Sequence, residues 1–348
     1  MAGSEFWLLD VLPLLRGDDI QCTVFLRGTE PLHEIARRFE AAGVTVQRYA
    51  DLHTLPDLTR HFDLRVVQGW TPGTYQALIP NLQKPRWVVS HDQLDFHYPP
   101  PLRQTYAEAY PWTKAPWFRR ADGVLTVSEW AGDFIRRRMG AQNVQVVKNG
   151  VKTGRFYPAA PAERAELRRG FGFTRFTVLV PGRFAPEKNQ LAAIRAARHA
   201  PELDFIFVGD MDSTVGQLAQ GYKGFFRLQN VQFWGRRWDM PELYRAADVL
   251  LQPTIAENQS LVTLEAMSSA LPIVTTDIPA QAELVQDGKT GLLVPSDPRL
   301  LVTALKALAA HPERARQLGE QARQYVLERH TLEQCAAGVA RVLRGAAT

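Results

Sequence analysis

Short apolar runs rich in β-branched residues recur along nearly the whole chain, and helical patterns fill the intervals between them. This alternation constrains the fold more than any other feature. Strands joined through helices pair in parallel, and a parallel sheet needs helices to cover it. In the first half the runs are Cys22-Thr-Val-Phe-Leu, Val44-Thr-Val-Gln-Arg, Leu64-Arg-Val-Val, Trp87-Val-Val-Ser, Gly123-Val-Leu-Thr-Val and Val144-Gln-Val-Val. They read together as one first sheet. A helical stretch over 31–42 stops at Gly43, a residue suited to ending a helix.

A second series follows Pro158: Thr177-Val-Leu-Val, Phe205-Ile-Phe-Val, Val231-Gln-Phe-Trp, Val249-Leu-Leu, Ile273-Val-Thr-Thr and Gly291-Leu-Leu-Val. A chain of 348 residues is too long for one ordinary domain and comfortable for two. The expected fold is therefore α/β, with two doubly wound, Rossmann-like domains and a ligand cleft at the carboxyl ends of their strands. Residues 7–155 form the first domain and 156–329 the second, with a hinge over 149–160.

Composition narrows the class. Hydrophobic content of 45% and charged content of 22% suit a globular protein with sizeable cores. No apolar run approaches the roughly 20 residues that span a bilayer, and no signal peptide is evident. The opening Met1-Ala-Gly-Ser-Glu-Phe6 reads as a cloning remnant, because Gly-Ser and Glu-Phe are what two common restriction sites encode. It is left out of the reading of the fold. Cys22 and Cys335 have no metal or redox spacing, so both read as small buried hydrophobes in a reducing compartment, the cytoplasm. The net charge of +5 is spread along the chain, with short clusters at Arg119-Arg120, Arg136-Arg137-Arg138 and Arg236-Arg237. Solvated helix faces explain these, and weak peripheral contact with an anionic membrane is the sharper alternative. No recognition motif accompanies the charge, so no nucleic-acid partner is expected.

Two segments of the second half carry chemistry. In Pro181-Gly-Arg-Phe-Ala-Pro-Glu-Lys-Asn189, Gly182 lets the backbone turn off a strand and places Arg183 and Lys188 at its carboxyl end. A guanidinium and an ammonium there could stabilise a diphosphate whose charge grows as a glycosidic bond breaks. A turn bearing two solvated cations is the plainer alternative. In Pro253-Thr-Ile-Ala-Glu-Asn-Gln-Ser-Leu-Val-Thr-Leu-Glu-Ala-Met267, Glu257 falls in a loop after a strand. Glu265 falls in the second turn of a helix starting near Ser260. Free N–H groups at that helix start could hold phosphate, with Glu257 on sugar hydroxyls and Glu265 on ribose hydroxyls. Taken alone, two glutamates could equally be ordinary surface residues.

The surroundings of these segments resemble family 4 of the retaining glycosyltransferases, of GT-B fold. The matching stretches are Val231-Gln-Phe-Trp-Gly, Asp239-Met-Pro-Glu-Leu-Tyr-Arg-Ala-Ala-Asp248, 257–267, Leu271-Pro-Ile-Val-Thr-Thr-Asp277 and Asp287-Gly-Lys-Thr-Gly-Leu-Leu-Val-Pro295. Lys148-Asn-Gly-Val151 followed by Phe156-Tyr-Pro158 continues the likeness, which covers almost the whole chain from Trp7. It implies transfer of a sugar, with retention, from a UDP or GDP donor to an acceptor the sequence leaves open. It assigns Arg183 and Lys188 to the diphosphate, Glu257 to the donor sugar and Glu265 to the ribose. Gly182, Asn258, Gln259, Ser260, Leu261 and Val262 complete the donor set. The family often carries a Gly-Phe-Gly-like run where this chain has Asn258-Gln-Ser260, so donor preference is open.

Val88-Val-Ser-His-Asp-Gln-Leu-Asp-Phe-His-Tyr-Pro99 resembles the family's strand-to-loop segment with a His facing the donor sugar, and His91 is the candidate. A satisfied strand-end His91–Asp92 pair is the alternative. Neither the loop His91, Asp92, Asp95, His97 nor Asp210-Met-Asp212 reads as a metal site, so metal-independent action without a cofactor is expected. Trp7-Leu-Leu-Asp-Val-Leu-Pro-Leu-Leu15 resembles the family's first helix, which the family normally precedes with a strand and a glycine-rich loop. Their lack implies a late start and an impaired acceptor side. The stretch 318–343 is helical in period, and in this fold the final helix commonly packs back, so 330–348 is assigned to the first domain. Two other functions stay open: a catalytically silent nucleotide-sugar-binding protein, and a phosphorylase on the same fold.

Overall fold

The computed structural model describes residues 3–28, 33–95 and 102–347. The chain divides into two compact units, with one boundary at Gly150–Val151 and another at Thr331–Leu332, so that the last helix belongs with the first unit.

In the first unit, β1 (Thr23–Arg27) pairs in parallel with β2 (Thr45–Tyr49), and the register runs from Thr23 opposite Thr45 to Arg27 opposite Tyr49. A separate parallel sheet holds β3 (Arg65–Val67), β4 (Arg86–Ser90), β5 (Gly123–Thr126) and β6 (Val144–Val146) in that order. The expected single first sheet is thus two ladders. The apolar pattern of a strand says which face it buries, while its pairing partner is a long-range choice that the pattern does not encode. β4 and β5 are almost wholly buried, and β3 is an edge strand with Val66 exposed. Gly123 must lack a side chain: a Cβ there would lie 2.4 Å from the indole of Trp87, which packs flat over it.

Residues 3–6 of the opening hexapeptide belong to the fold. A helix spans Gly3–Val11 and buries Trp7 and Val11. The last helix, Leu332–Ala347, packs beside it, with Cys335 buried next to Trp7 and Arg344 paired to Asp18 at 2.6 Å. Burial pushes the Cys335 thiol up to about 11. Cys22 is only half-buried, unlike the expectation for both cysteines. The single helical period read over 318–343 is also interrupted. Helices Pro312–Arg329 and Leu332–Ala347 break at His330-Thr331, because the His330 carbonyl accepts the Val151 N–H at 2.9 Å and Thr331 bridges Val151.

The second unit is one six-stranded parallel sheet built from β7 (Thr177–Pro181), β8 (Asp204–Val208), β9 (Val231–Phe233), β10 (Val249–Gln252), β11 (Ile273–Thr276) and β12 (Leu292–Val294). Both faces are covered, which explains why its strands are continuous apolar runs. Val178, Val180, Phe205, Phe207, Val249 and Leu251 point into one core, while Leu179, Ile206, Val208, Leu250 and Ile273 point into the other. The spatial order is β12-β11-β10-β7-β8-β9. The first strand therefore sits centrally, and the chain winds outward from it on one side before returning to wind outward on the other. The order reverses between β7 and β10, the place at which doubly wound sheets commonly open a ligand crevice. Both chemistry-bearing segments follow those two strands.

Candidate active site

The loop after β7 begins with a close backbone approach. Gly182 donates its N–H to the Val208 carbonyl at 2.8 Å, and Phe184 donates to the Asp210 carbonyl at 2.8 Å. A Cβ on Gly209 would lie 2.0 Å from the Gly182 oxygen, so only glycine fits where the loops after β7 and β8 touch. Gln190 secures the same turn: its Nε2 donates to the Arg183 carbonyl at 2.6 Å and the Gly182 carbonyl at 3.3 Å.

A short turn, Pro186–Lys188, then ties this loop to the one after β10. The Glu187 carbonyl accepts from the Ile255 N–H and from Thr254 Oγ1, each at 2.8 Å. Asn189, held at φ 52°, donates from Nδ2 to the Pro253 carbonyl at 3.1 Å and to Ser296 Oγ at 2.8 Å. The two loops are thereby stitched at their bases. Lys188 Nζ consequently meets Glu257 Oε1, although the residues stand 69 apart in sequence.

Glu257 is 7% exposed, and a carboxylate so buried needs compensating donors. Besides Lys188, Gln252 Nε2 donates to the same Oε1 at 3.0 Å. Asn258, Gln259 and Ser260 are buried beside it. Ser260 caps the helix Leu261–Ser268, its Oγ accepting the Thr263 N–H at 3.2 Å, and so Leu261 and Val262 form the first turn over the crevice. Glu265, one turn further on, accepts from the Tyr244 hydroxyl at 2.8 Å at Oε2. Burial, then the neighbouring Glu265 charge, raise the Tyr244 phenol well above its usual range, so it stays a donor.

The two cations occupy different surroundings. Lys188 is mostly enclosed, whereas Arg183 is largely exposed and pairs with Glu187 at 2.7 Å. Asp210, the first residue of the Asp-x-Asp match, pairs with Arg236 at 2.7 Å and accepts the Asp212 N–H at 3.0 Å. No group of three His, Cys, Asp or Glu side chains that could hold a metal exists among the described residues. Arg237, beside Arg236, pairs with Asp239, and Arg136 of another basic cluster pairs with Asp133.

His91 follows β4 in the first unit. Its ring stands edge-on to Trp7 with centroids 4.9 Å apart, and its buried Nε2 has no hydrogen-bond partner among the described residues. Burial lowers its pKa to about 4, so the imidazole is neutral at pH 7. The alternative, a His91–Asp92 pair, is not made among the described residues. Asp92 is claimed by Lys114, Nζ to Oδ1 2.6 Å, and by the Ser90 hydroxyl at 3.1 Å, because an ammonium compensates a buried carboxylate better than a neutral imidazole does. Lys114 also lies over the rings of Tyr75 and Tyr110, at 5.4 and 5.3 Å. His97 lies outside the described residues.

Gln252, Thr254, Asn189, Gln190, Tyr244 and Lys114 went unread in the sequence. A polar residue at a strand end carries no one-dimensional signal of what it will face. The nearest thing to one is Gln252, a polar terminus on an otherwise apolar strand.

The fold and this crevice define a class, the GT-B glycosyltransferases. A family model described as Glycosyltransferase Family 4 matches residues 1–155, and one described as Glycosyl transferases group 1 matches residues 175–311. The α-maltose-1-phosphate synthase of Mycolicibacterium smegmatis is 30% identical over 284 residues, covering 73% of this chain and 72% of that protein. The D-inositol 3-phosphate glycosyltransferase of Streptomyces scabiei is 28% identical, covering 91% of this chain and 80% of its own length. Among solved structures, Anabaena HepE in complex with UDP-glucose superposes with a TM-score of 0.86 at 20% identity, over 99% of this chain and 96% of that one. Sucrose-phosphate synthase from Thermosynechococcus elongatus gives 0.80 at 20% identity, over 99% and 93%. The chain belongs to glycosyltransferase family 4. No helix among the described residues is long and apolar enough to cross a membrane.

Proposed function

We propose that this protein transfers a sugar from a nucleoside diphosphate donor to an acceptor with retention of configuration, without a metal, and that the donor nucleotide is UDP. The observation that carries the reading is the meeting of Lys188 with Glu257 in the crevice where the sheet order reverses. One group there suits a diphosphate and the other suits sugar hydroxyls, which is how a nucleotide sugar is built. The HepE complexes, which hold UDP and UDP-glucose, support the choice of nucleotide.

In the proposed reaction the acceptor's hydroxyl oxygen bonds to the anomeric carbon as the bond from that carbon to the β-phosphate oxygen breaks. The electron pair of the broken bond leaves on the diphosphate, which takes up the hydroxyl proton. Lys188 and Arg183 neutralise the charge that develops, so their contribution grows along the reaction. Glu257 accepts hydrogen bonds from the donor sugar and Glu265 from the ribose. Gly182, Asn258, Gln259, Ser260, Leu261 and Val262 line the donor.

Calorimetric titration with UDP and GDP, then with their sugar conjugates, tests the reading. UDP is expected to bind, and Lys188→Ala is expected to weaken binding by about 1.5–3 kcal/mol, the value of a charge-assisted contact. Failure of every nucleotide to bind would remove the donor assignment. Binding without sugar release from any conjugate would leave only a silent binder.

A further inference from the structure

The carboxylate of Glu257 is held by one oxygen only. Oε1 receives Lys188 Nζ and Gln252 Nε2 at 3.0 Å, with Thr254 Oγ1 3.5 Å away. Among the described residues no hydrogen bond reaches Oε2. A carboxylate gripped at one oxygen cannot rotate without breaking those bonds, so its free lone pairs point in one direction.

Gln252 makes the grip directional. It ends β10 at 4% exposure, and both ends of its amide are engaged. Nε2 donates to Glu257 at 3.0 Å and to Ser260 Oγ at 2.9 Å, while Oε1 accepts from Thr263 Oγ1 and lies 3.2 Å from Ser260 Oγ. The Gln252 backbone carbonyl accepts from Thr275 Oγ1 at 2.8 Å, which ties the position to β11. The amide thus sits between the loop bearing Glu257 and the capped start of the next helix, with its orientation set by the Glu257 carboxylate, which can only accept and so takes the NH2 end. Loop 258–260 has here no run of small residues to adapt to a ligand; its Ser260 is a member of the network.

We propose that Gln252 is a positioning residue for sugar transfer. Through one side-chain amide it fixes the rotation of the Glu257 carboxylate and the place of Ser260, so that Glu257 presents Oε2 alone to the hydroxyls of the donor sugar. Lys188 can then leave Oε1 for the diphosphate while Gln252 keeps the carboxylate oriented. This rests on the donor reading above.

The test uses the whole protein, with UDP as the binding probe and UDP release from UDP-glucose as the turnover probe. In Gln252→Leu, UDP affinity is expected to stay within about 3-fold of the parent while kcat falls about 10- to 100-fold, the scale of a misplaced reacting group. In Gln252→Glu, a second carboxylate faces Glu257. Its activity relative to the parent is expected to rise about 10-fold as pH is lowered from 8 to 5.5, where a shared proton restores the donor. A purely structural role would lower melting temperature in both variants without separating kcat from UDP affinity and without a pH-dependent ratio. Either result overturns the proposal. Should Gln252→Leu fail to fold, the pH ratio of Gln252→Glu decides by itself. If the parent binds no UDP and releases none from UDP-glucose, the UDP-donor reading falls first and this proposal with it. If the parent works and the variants match it, only this proposal falls.

Discussion

Lys188 and Glu257 form an ion pair at the carboxyl ends of two neighbouring strands, each the partner that permits the other to be enclosed. The pair is also a competition. Under the donor assignment proposed above, a diphosphate would draw on the same ammonium that now neutralises Glu257, and the donor would have to displace one contact to make its own.

Glu257→Gln is accordingly expected to leave UDP affinity equal or tighter, because Lys188 is released from its carboxylate, while turnover of a sugar conjugate falls at least about 10-fold through loss of a charged acceptor. Calorimetry with UDP alongside UDP release from UDP-glucose measures both. A loss of UDP affinity matching the loss of turnover would reassign Glu257 to the nucleotide.

Tyr244→Phe removes the hydroxyl that donates to Glu265 Oε2 at 2.8 Å. The expected effect is about 1 kcal/mol weaker UDP binding. The effect should shrink when 2′,3′-dideoxy-UDP replaces UDP, since the ribose hydroxyls are what Glu265 is proposed to receive. Equal losses with both ligands would place Glu265 away from the ribose.

Lys114→Met tests the enclosed pair beneath the loop of His91. Lys114 and Asp92 side chains are 2% and 6% exposed, so removing the ammonium strands a buried carboxylate. About 3–5 kcal/mol of unfolding free energy should be lost, whereas Lys114→Met combined with Asp92→Asn should recover part of it. Urea denaturation of the single and double variants gives the comparison. A loss under about 1 kcal/mol in the single variant would mean water reaches Asp92.

His91 sets a pH dependence. Its folded pKa of about 4 lies below the ordinary 6.5, so the unfolded chain binds the proton more tightly. Stability contributed by the neutral ring is therefore full above 6.5 and falls as pH drops from 6.5 towards 4. Between pH 7 and pH 5 the contribution should fall by about 2 kcal/mol. His91→Phe keeps an aromatic partner for Trp7 and should lose that slope, as urea denaturation at the two pH values would show. An unchanged slope would mean the ring is solvated.

Much of the second unit was legible in one dimension. Six apolar runs became the six strands of one sheet, since a strand buried on both faces cannot hide its composition. Glycine at 182 announced a turn, and Ser260 announced a helix start that the structure places at Leu261. The first unit was less legible. Its strands were recognisable but their division into a pair and a foursome was not, and the break at His330-Thr331 depended on a backbone bond to Val151.

The same division runs through the site. Sequence determined which residue types stand at strand ends, and hence that Arg183, Lys188, Glu257, Glu265 and His91 were available for chemistry. Tertiary structure decided their partners: Lys188 with Glu257, Arg183 with Glu187, Glu265 with Tyr244, and Asp92 with Lys114 in place of His91. The reason is physical. Backbone propensity and apolar period act over a few residues and are written locally. The desolvation cost that forces a buried charge to find a partner is settled only where distant segments are packed together.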